Sequence, residues 1–270
     1  MDGTPRRPRR LAGSLLARVR PGAAAARLRA EREYLARRSS GAADTGRRRA
    51  RVLAYHSVGT RSWGVNDVSP ARFERHLQVA VDEGFSFGTP AQVLAAPDRK
   101  LLALTFDDGL RSVVANAAPV LRHHGIPWTL FVVTGWADGE HPTGNELLLD
   151  WHELEALVTQ GATLGSHSVS HPDFGRLAGG EAERELAGSR RALADRLGLD
   201  IREFAIPLGQ SRNWTQQASL RARDAGYDTV YAQSLRVPEA VARTFVTRVD
   251  RPQLFRAALR GAFDGWEEWF

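Results

Sequence analysis

The stretch LLALTFDDG, residues 101–109, joins a strand-like run to a pair of acids. Residues 101–106 are almost entirely apolar, and such a run is typical of a strand that is buried on both faces. Two carboxylates, Asp107 and Asp108, follow directly. Burial of a charged group is costly unless a partner compensates it, so a core strand should not end on two acids without a reason. The stretch therefore predicts a buried strand that delivers both carboxylates to a functional site.

Further strand-like runs alternate with helical segments from residue 51 onward. The runs are RVLAYH (51–56), FSFG (85–88), IPWTLFVV (126–133), ATLGSH (162–167), EFAIP (203–207), YDTVYA (227–232) and TFVTRV (244–249). Helical patterns lie between them, for example after Ser69-Pro70, where serine suits the N-cap and proline the first helical position. This alternation predicts an α/β fold in which parallel strands form one closed or nearly closed barrel, without a second folded domain.

The amino-acid composition limits the classes of protein to which the chain can belong. Its 270 residues, of which 43% are hydrophobic, suffice for one barrel with a sizeable core. It contains no cysteine, which excludes disulfides and thiolate metal sites. No apolar run approaches the roughly 20 residues that a membrane span requires, and LAGSLLARV (11–19) is too short and too interrupted for a secretion signal. The cytoplasm is therefore the default location, and a membrane-associated or envelope-directed protein is the alternative.

The net charge of +6 is divided unevenly along the chain. Residues 1–51 hold 15 arginines and 4 acidic residues, whereas the remainder holds 22 basic and 27 acidic residues. We therefore predict a basic, partly helical or disordered arm over residues 1–50 and a folded domain over residues 51–270. A solvated arm is the simplest interpretation, and contact with an anionic membrane surface is the functional alternative. No nucleic-acid-binding motif accompanies the charge, so no nucleic acid partner is expected.

Polar or turn-forming groups follow four of the predicted strands at the point where each strand ends. In chain order they are His56, the pair Asp107 and Asp108, the pair His167 and His171, and Leu208 within Pro207-Leu208-Gly209. In βα barrels the functional residues come from the carboxyl ends of the strands. We therefore expect these groups to converge at one end of the barrel.

Asp108, His167 and His171 form a plausible set of metal ligands. Two imidazoles and one carboxylate suit a divalent ion such as Zn²⁺ and leave positions open for water and substrate. Successive residues of a strand point in opposite directions, so Asp107 need not share the role of its neighbour. The pattern predicts that Asp108 binds the metal while Asp107 stays free beside it as a general base.

Each half of this pattern has a simpler interpretation when it stands alone. Asp-Gly is a common turn pair, so the acids at residues 107–108 could mark only a turn. The segment HSVSH (167–171) could equally be a loop with surface imidazoles. The two signals occur together at the ends of predicted strands, and this combination is far more specific than either alone.

The motifs TFDDG, HSVSH and FAIPLG, in this order, resemble those of the polysaccharide deacetylases, which are the NodB-homology or carbohydrate esterase family 4 enzymes. The segments YHSVG and IPWTLFVVTG are also similar to the family, so the resemblance covers about residues 51–250. It implies an irregular or incomplete (β/α) TIM-like barrel of about seven parallel strands. It further implies metal-dependent hydrolysis that removes acetyl groups from an N-acetylated sugar or polysaccharide.

The resemblance also implies a role for each candidate site residue. Asp107 would be the general base, and Asp108, His167 and His171 would hold one divalent ion, with zinc favoured over other first-row metals. The backbone N–H of Leu208 would stabilise the oxyanion. A subgroup with YHxV near its start and F-A-x-P as its third motif is more similar still, and there His56 would be the general acid.

Three departures from the family pattern leave other functions open. The third motif lacks the arginine that orients the base in many relatives, and no histidine follows His171. Leu208 stands where relatives often have tyrosine. Arg248 and Asp250 are candidates to orient the site instead. The alternatives are a catalytically weak relative that binds glycan, or an amidohydrolase for a different small acetylated metabolite.

Tryptophans in predicted loops are candidates for stacking on sugar rings, although most tryptophans serve only packing. They are Trp63, Trp136, Trp151 and Trp214. The sequence predicts neither the particular sugar nor the oligomeric state.

Overall fold

The computed structural model describes residues 21–39 and 49–267 of the chain. The arginine-rich RRPRR and the segment LAGSLLARV lie outside the described residues, as do residues 40–48. No helix of the described ranges is long and apolar enough to cross a bilayer.

The strands of these ranges are mostly short. They are β1 (Arg51–Tyr55), β2 (Ser57–Val58), β3 (Asp67–Val68), β4 (Ser86–Phe87), β5 (Leu101–Phe106), β6 (Trp128–Val132), β7 (Thr163–Ser166), β8 (Glu203–Ala205), β9 (Thr229–Ala232), β10 (Val241–Ala242) and β11 (Thr244–Phe245).

Helices follow most of the strands. They are α1 (Pro21–Ser39), α2 (Pro70–Asp82), α3 (Pro90–Ala95), α4 (Ala118–His123), α5 (Thr134–Ala137), α6 (Trp151–Thr159), α7 (Gly179–Leu197), α8 (Gln216–Asp224) and α9 (Pro252–Leu259), with 3-10 turns at Arg61–Asn66 and Ser211–Asn213 and a π-helical turn at Val113–Ala117. Local sequence explains several boundaries. Asp150 and Glu153, for example, form a reciprocal capping box that starts α6.

The main sheet is a nearly closed parallel barrel of eight strands, in the order β10-β9-β8-β7-β6-β5-β1-β11. The short β4 pairs with β5 outside this path. The predicted α/β barrel is therefore confirmed. Because every strand of the barrel runs in the same direction, all the carboxyl ends lie on one rim.

One segment, residues 241–245, closes the barrel. Its first half, β10, pairs with β9, and its second half, β11, pairs with β1 on the opposite edge. Only Arg243 separates the two halves. The last strand was predicted at residues 244–249, which was wrong, because the segment changes partner at Arg243 and leaves the sheet after Phe245. Counting β10 and β11 as one closing segment gives seven strand positions around the barrel.

Alternation along the strands separates two apolar layers. Leu102, Leu104 and Phe106 of β5 belong to the large core between the strands and the helices. Ala103 belongs to a smaller cluster with Phe131, Ala205 and Tyr231, which fills the barrel interior. The interior is tight, because a Cβ added at Gly165 would lie 2.4 Å from the Phe131 ring.

The helix α1 packs onto the barrel, so the expectation of a solvated arm is wrong for residues 21–39. Leu28 is buried, and Arg32 is fully buried. Arg32 donates to both carboxylate oxygens of Asp250 at 2.7 Å and to the Phe245 carbonyl at 2.8 Å. Its guanidinium also lies over the ring of Phe263. Whether residues 1–20 and 40–48 contact an anionic surface stays a prediction.

Candidate active site

A cavity of about 310 Å³ opens at the carboxyl ends of the barrel strands. The six residues to which the resemblance assigns a role line it, namely His56, Asp107, Asp108, His167, His171 and Leu208. These residues follow β1, β5, β7 and β8, which explains why groups far apart in the chain meet here.

Asp108, His167 and His171 lie close enough to share one cation. The Asp108 Oδ1 is 3.6 Å from His167 Nε2 and 3.7 Å from His171 Nε2. Zinc–ligand distances of about 2.0–2.2 Å in a tetrahedral site place neighbouring ligand atoms about 3.4 Å apart. The Asp108 Oδ1 is also buried without a hydrogen-bond partner in the described residues, as a carboxylate oxygen reserved for a cation would be. The three side chains therefore fit a divalent metal ion.

Neighbouring groups orient each of these three side chains. His167 Nδ1 is 2.7 Å from the Ala205 carbonyl oxygen. A carbonyl can only accept, so Nδ1 carries the proton and Nε2 presents its lone pair toward Asp108. The Trp63 indole donates to Asp108 Oδ2 at 3.2 Å. Trp136 stacks on the His171 ring at a centroid distance of 5.3 Å.

Burial keeps both imidazoles uncharged near neutral pH. Desolvation lowers the pKa of His167 to about 4, although Asp107 and Asp108 oppose this effect. Desolvation also lowers the pKa of His171. A histidine must be neutral to bind a metal, so this environment favours the ligand role.

Asp107 is held by Arg243, a residue that the sequence analysis did not single out. The Arg243 guanidinium donates to the two Asp107 carboxylate oxygens at 2.6 and 2.8 Å and to the Thr105 hydroxyl at 3.1 Å. Burial alone would raise the pKa of Asp107, but the charge and hydrogen bonds of Arg243, together with the nearby His167 and His56, outweigh it and hold the pKa well below its usual range. Asp107 is therefore ionised throughout the physiological pH range.

Arg243 contacts Asp107 as the arginine missing from the third motif would be expected to do. It comes from the junction between β10 and β11, on the closing segment. Arg248 is exposed, and Asp250 pairs with Arg32, so neither suggested alternative orients Asp107. A local signal for Arg243 exists in VARTFV, where one arginine interrupts an otherwise strand-like run.

His56 continues the inward-facing alternation of β1 beyond Ala54 and lines the cavity. Its ring packs edge-on against Phe245 at a centroid distance of 5.2 Å. Its Nδ1 is buried and has no hydrogen-bond partner in the described residues. The imidazole is thus held in place by packing, with an unsatisfied nitrogen at the site.

Leu208 adopts a left-handed backbone conformation with φ of 63°. Its N–H has no acceptor in the described part of the chain, and its side chain is 49% exposed at the rim. The unpaired N–H is consistent with an oxyanion donor. The leucine side chain is exposed and takes no part in core packing.

Backbone strain is concentrated at this cavity. Five non-glycine residues have positive φ in the described ranges, and four belong to the site loops, namely Asp108, Ser168, His171 and Leu208. Such conformations cost about 1–3 kcal/mol each. Such conformations persist only where the surrounding structure holds them in place, which is typical of functional sites.

Two of the four candidate tryptophans line the cavity. Trp63 donates a hydrogen bond to Asp108, and Trp136 stacks on His171. Trp214 is buried against Phe204 in the core, and Trp151 lies under Arg196 on the outside of the barrel. Neither of the latter two lines the cavity.

Comparisons with known proteins agree with this geometry. A family model described as polysaccharide deacetylase matches residues 95–230, about half of the chain. The chain is 24% identical over 182 residues to the putative polysaccharide deacetylase YxkH of Bacillus subtilis, across 65% of this chain and 61% of that protein. It is 26% identical over 132 residues to a chitooligosaccharide deacetylase of Sinorhizobium fredii, across 47% of this chain and 54% of that protein.

The fold likeness extends further than these sequence matches. The solved structure of IcaB from Ammonifex degensii superposes with a TM-score of 0.65 and 26% identity, across 77% of this chain and 96% of that one. The chain spans less than two thirds of the length of both curated relatives. The matched family model, the barrel and the convergent motifs together show that the chain belongs to the polysaccharide deacetylase family.

Proposed function

We propose that this chain is a metal-dependent hydrolase that removes the acetyl group from an N-acetylated sugar or polysaccharide. The observation that carries the proposal is the different surroundings of two adjacent acids in one cavity. Asp108 faces two imidazole Nε2 atoms, whereas Asp107 is clamped by Arg243. One acid is thus suited to hold a cation and the other to act on a proton.

Asp108, His167 and His171 would hold the divalent ion, with zinc favoured by the two imidazoles and one carboxylate. When bound, such an ion supplies Lewis-acid polarisation of the acetyl carbonyl and acidifies water. Asp107 accepts a proton from the attacking water, and Arg243 fixes the orientation of the accepting carboxylate.

The remaining roles fall to His56 and Leu208. The tetrahedral intermediate carries an oxyanion, and the unpaired N–H of Leu208 donates a hydrogen bond to it. The amine leaves only after it gains a proton, and His56, which lines the same cavity, donates that proton. His56 is held for this role by the edge-on contact with Phe245.

Several observations favour a sugar substrate and an active enzyme. The Sinorhizobium fredii relative is a chitooligosaccharide deacetylase, and the indoles of Trp63 and Trp136 flank the cavity as sugar-stacking rings do. The missing arginine of the third motif was one reason to consider a catalytically weak glycan binder. That reason is weaker because Arg243 contacts Asp107 as the missing arginine would.

Acetate release from chitooligosaccharides tests the proposal. The full chain should release acetate, and both a chelator and the Asp107→Asn substitution should abolish release. Asp195→Asn, at an exposed position of α7, provides the matched control and should retain full activity. Activity that survives both chelation and Asp107→Asn would refute the proposal.

A further inference from the structure

The wall of the active-site cavity that follows β8 and β9 carries three carboxamide side chains. Gln210 and Asn213 belong to the loop after β8, and Gln233 follows β9 directly. Gln210 is 4% exposed and Asn213 is 3% exposed. Because β8 and β9 are neighbouring strands, these side chains lie side by side on one wall.

Two of these carboxamides carry a buried atom without a hydrogen-bond partner in the described ranges. Asn213 Oδ1 and Gln233 Nε2 are fully buried atoms without a partner. Buried polar atoms are nearly always hydrogen-bonded, and each exception calls for an explanation such as a ligand or an ordered water. Two exceptions on one wall of a catalytic cavity point to a ligand.

The wall is built rigidly, which is expected of a binding surface. The Gln233 N–H donates to the Gly209 carbonyl at 2.7 Å, which joins the two loops. A Cβ at Gly209 would lie 2.8 Å from Gln233 Cβ, so the loops could not approach so closely with another residue there. Glu267 accepts hydrogen bonds from the Ser211 N–H and hydroxyl at 2.7 and 2.8 Å, which fixes the turn that carries Asn213.

The position of the wall indicates which part of a substrate it would meet. Leu208, whose N–H faces the reacting carbonyl in the proposed mechanism, lies only two residues before Gln210 in the same loop. A group bound at the carboxamides is therefore next to the acetyl group rather than at it. In an N-acetylated sugar, this neighbouring part is the sugar ring with its hydroxyl groups.

The chemistry of the wall matches hydroxyl groups. A carboxamide offers an oxygen acceptor and two N–H donors and carries no charge. A hydroxyl group both donates and accepts, so it can satisfy an unpaired amide oxygen and an unpaired amide N–H together. We propose that Gln210, Asn213 and Gln233 form a subsite that binds the ring hydroxyl groups of the substrate sugar. This inference rests on the proposed function and names the part of the substrate that the cavity recognises.

Binding of tri-N-acetylchitotriose to the full chain tests the subsite. Titration calorimetry in an Asp107→Asn background prevents turnover, and chelator-treated wild-type protein provides a second preparation in case that substitution impairs folding. Asn213→Ala and Gln233→Ala should each weaken binding about 5-fold, which is the size expected for one net hydrogen bond between neutral groups. The double variant should lose about 20-fold or more, and Gln78→Ala, a carboxamide on the outer helix α2 that bonds Asp82, should bind like the parent.

Thermal unfolding of the same variants separates binding from structure. Because each of the two carboxamides carries a buried atom without a partner in the described ranges, their removal should leave the unfolding midpoint unchanged or raise it. Unchanged affinity in the double variant would overturn the proposal, as would a parallel fall of affinity and midpoint, which would indicate carboxamides that only bind structural water. Failure of the parent to bind the trisaccharide would overturn it as well. Binding without acetate release by the wild type would instead contradict the proposed hydrolysis while supporting the subsite.

Discussion

The Arg243 guanidinium holds the Asp107 carboxylate through two hydrogen bonds of 2.6 and 2.8 Å, and both side chains are almost fully buried. The contact joins the end of β5 to the segment that closes the barrel, across 136 positions of the chain. The segment that closes the barrel therefore also orients the proposed base.

Replacement of Arg243 by alanine should damage both activity and stability. The substitution leaves the Asp107 charge buried and unpaired, which typically costs about 3–5 kcal/mol. We expect the free energy of unfolding in urea to fall by that amount and kcat/KM to fall at least about 100-fold, because the base loses its orientation. Arg248→Ala, at an exposed position five residues further on, should change neither quantity appreciably. Equal effects of the two substitutions would contradict the role given to Arg243.

Arg32 should be essential for stability although it lies in the arginine-rich arm. It is fully buried against Asp250, so Arg32→Ala should lower the free energy of unfolding by about 3–5 kcal/mol. Arg29→Ala on the same helix removes only an exposed pair with Glu33 and should cost less than about 0.5 kcal/mol. Chemical denaturation of both variants gives the comparison. Similar stability of the two variants would show that α1 does not dock as described.

Buried His76 should make the protein sensitive to acid. Its ring stacks on Phe255 and contacts the Tyr55 hydroxyl and the Asp250 carbonyl. Burial lowers the pKa of His76 from 6.5 to about 4, against the opposing influence of Asp250. The unfolded chain therefore binds the proton more readily than the folded chain does. The stability contributed by the neutral ring is complete above pH 6.5 and is lost as the pH falls toward 4.

Urea denaturation at pH 7 and pH 4.5 measures this effect. We expect the loss of stability between the two values to be about 2.5 kcal/mol larger for the wild type than for His76→Gln, because glutamine does not titrate. The substitution itself lowers stability at pH 7, so the difference between the two pH values is the relevant quantity. An equal pH dependence in both proteins would rule out His76 as the acid-sensitive group.

His56→Ala should slow turnover without changing the metal content. The imidazole lines the cavity but is absent from the cluster of Asp108, His167 and His171. Loss of a general acid typically costs about 10²–10⁴-fold in rate. Turnover of the variant and its bound zinc should be measured together, with the exposed His124→Ala as the control. Loss of zinc would instead make His56 a ligand.

Much of the barrel and the clustering of Asp108, His167 and His171 could be predicted because the signals are local. LLALTF is an uninterrupted core strand, and its two following acids share the rim with His167 and His171. Once the strands are known to be parallel, convergence of their carboxyl ends follows. Leu208, in the loop after β8, was expected at this rim for the same reason.

The contacts that the sequence did not reveal are long-range arginine pairs. Arg32 resembles its arginine neighbours in ARLRAEREYLARR, and only its place on the helix face that carries Leu28 and Leu35 distinguishes it. Arg243 lies where a strand changes partner, and the composition of VARTFV does not reveal that change. Pairing partners 218 and 136 positions away are fixed by the tertiary fold.

Zinc stoichiometry tests the central claim most directly. The full chain, equilibrated with Zn²⁺ and freed of unbound metal, should retain one ion per chain by elemental analysis. Asp108→Asn, His167→Ala and His171→Ala should each retain little or none, whereas Asp107→Asn should retain the full amount although it releases no acetate. Full zinc content in Asp108→Asn, or its loss in correctly folded Asp107→Asn, would contradict the division of roles between the two adjacent acids.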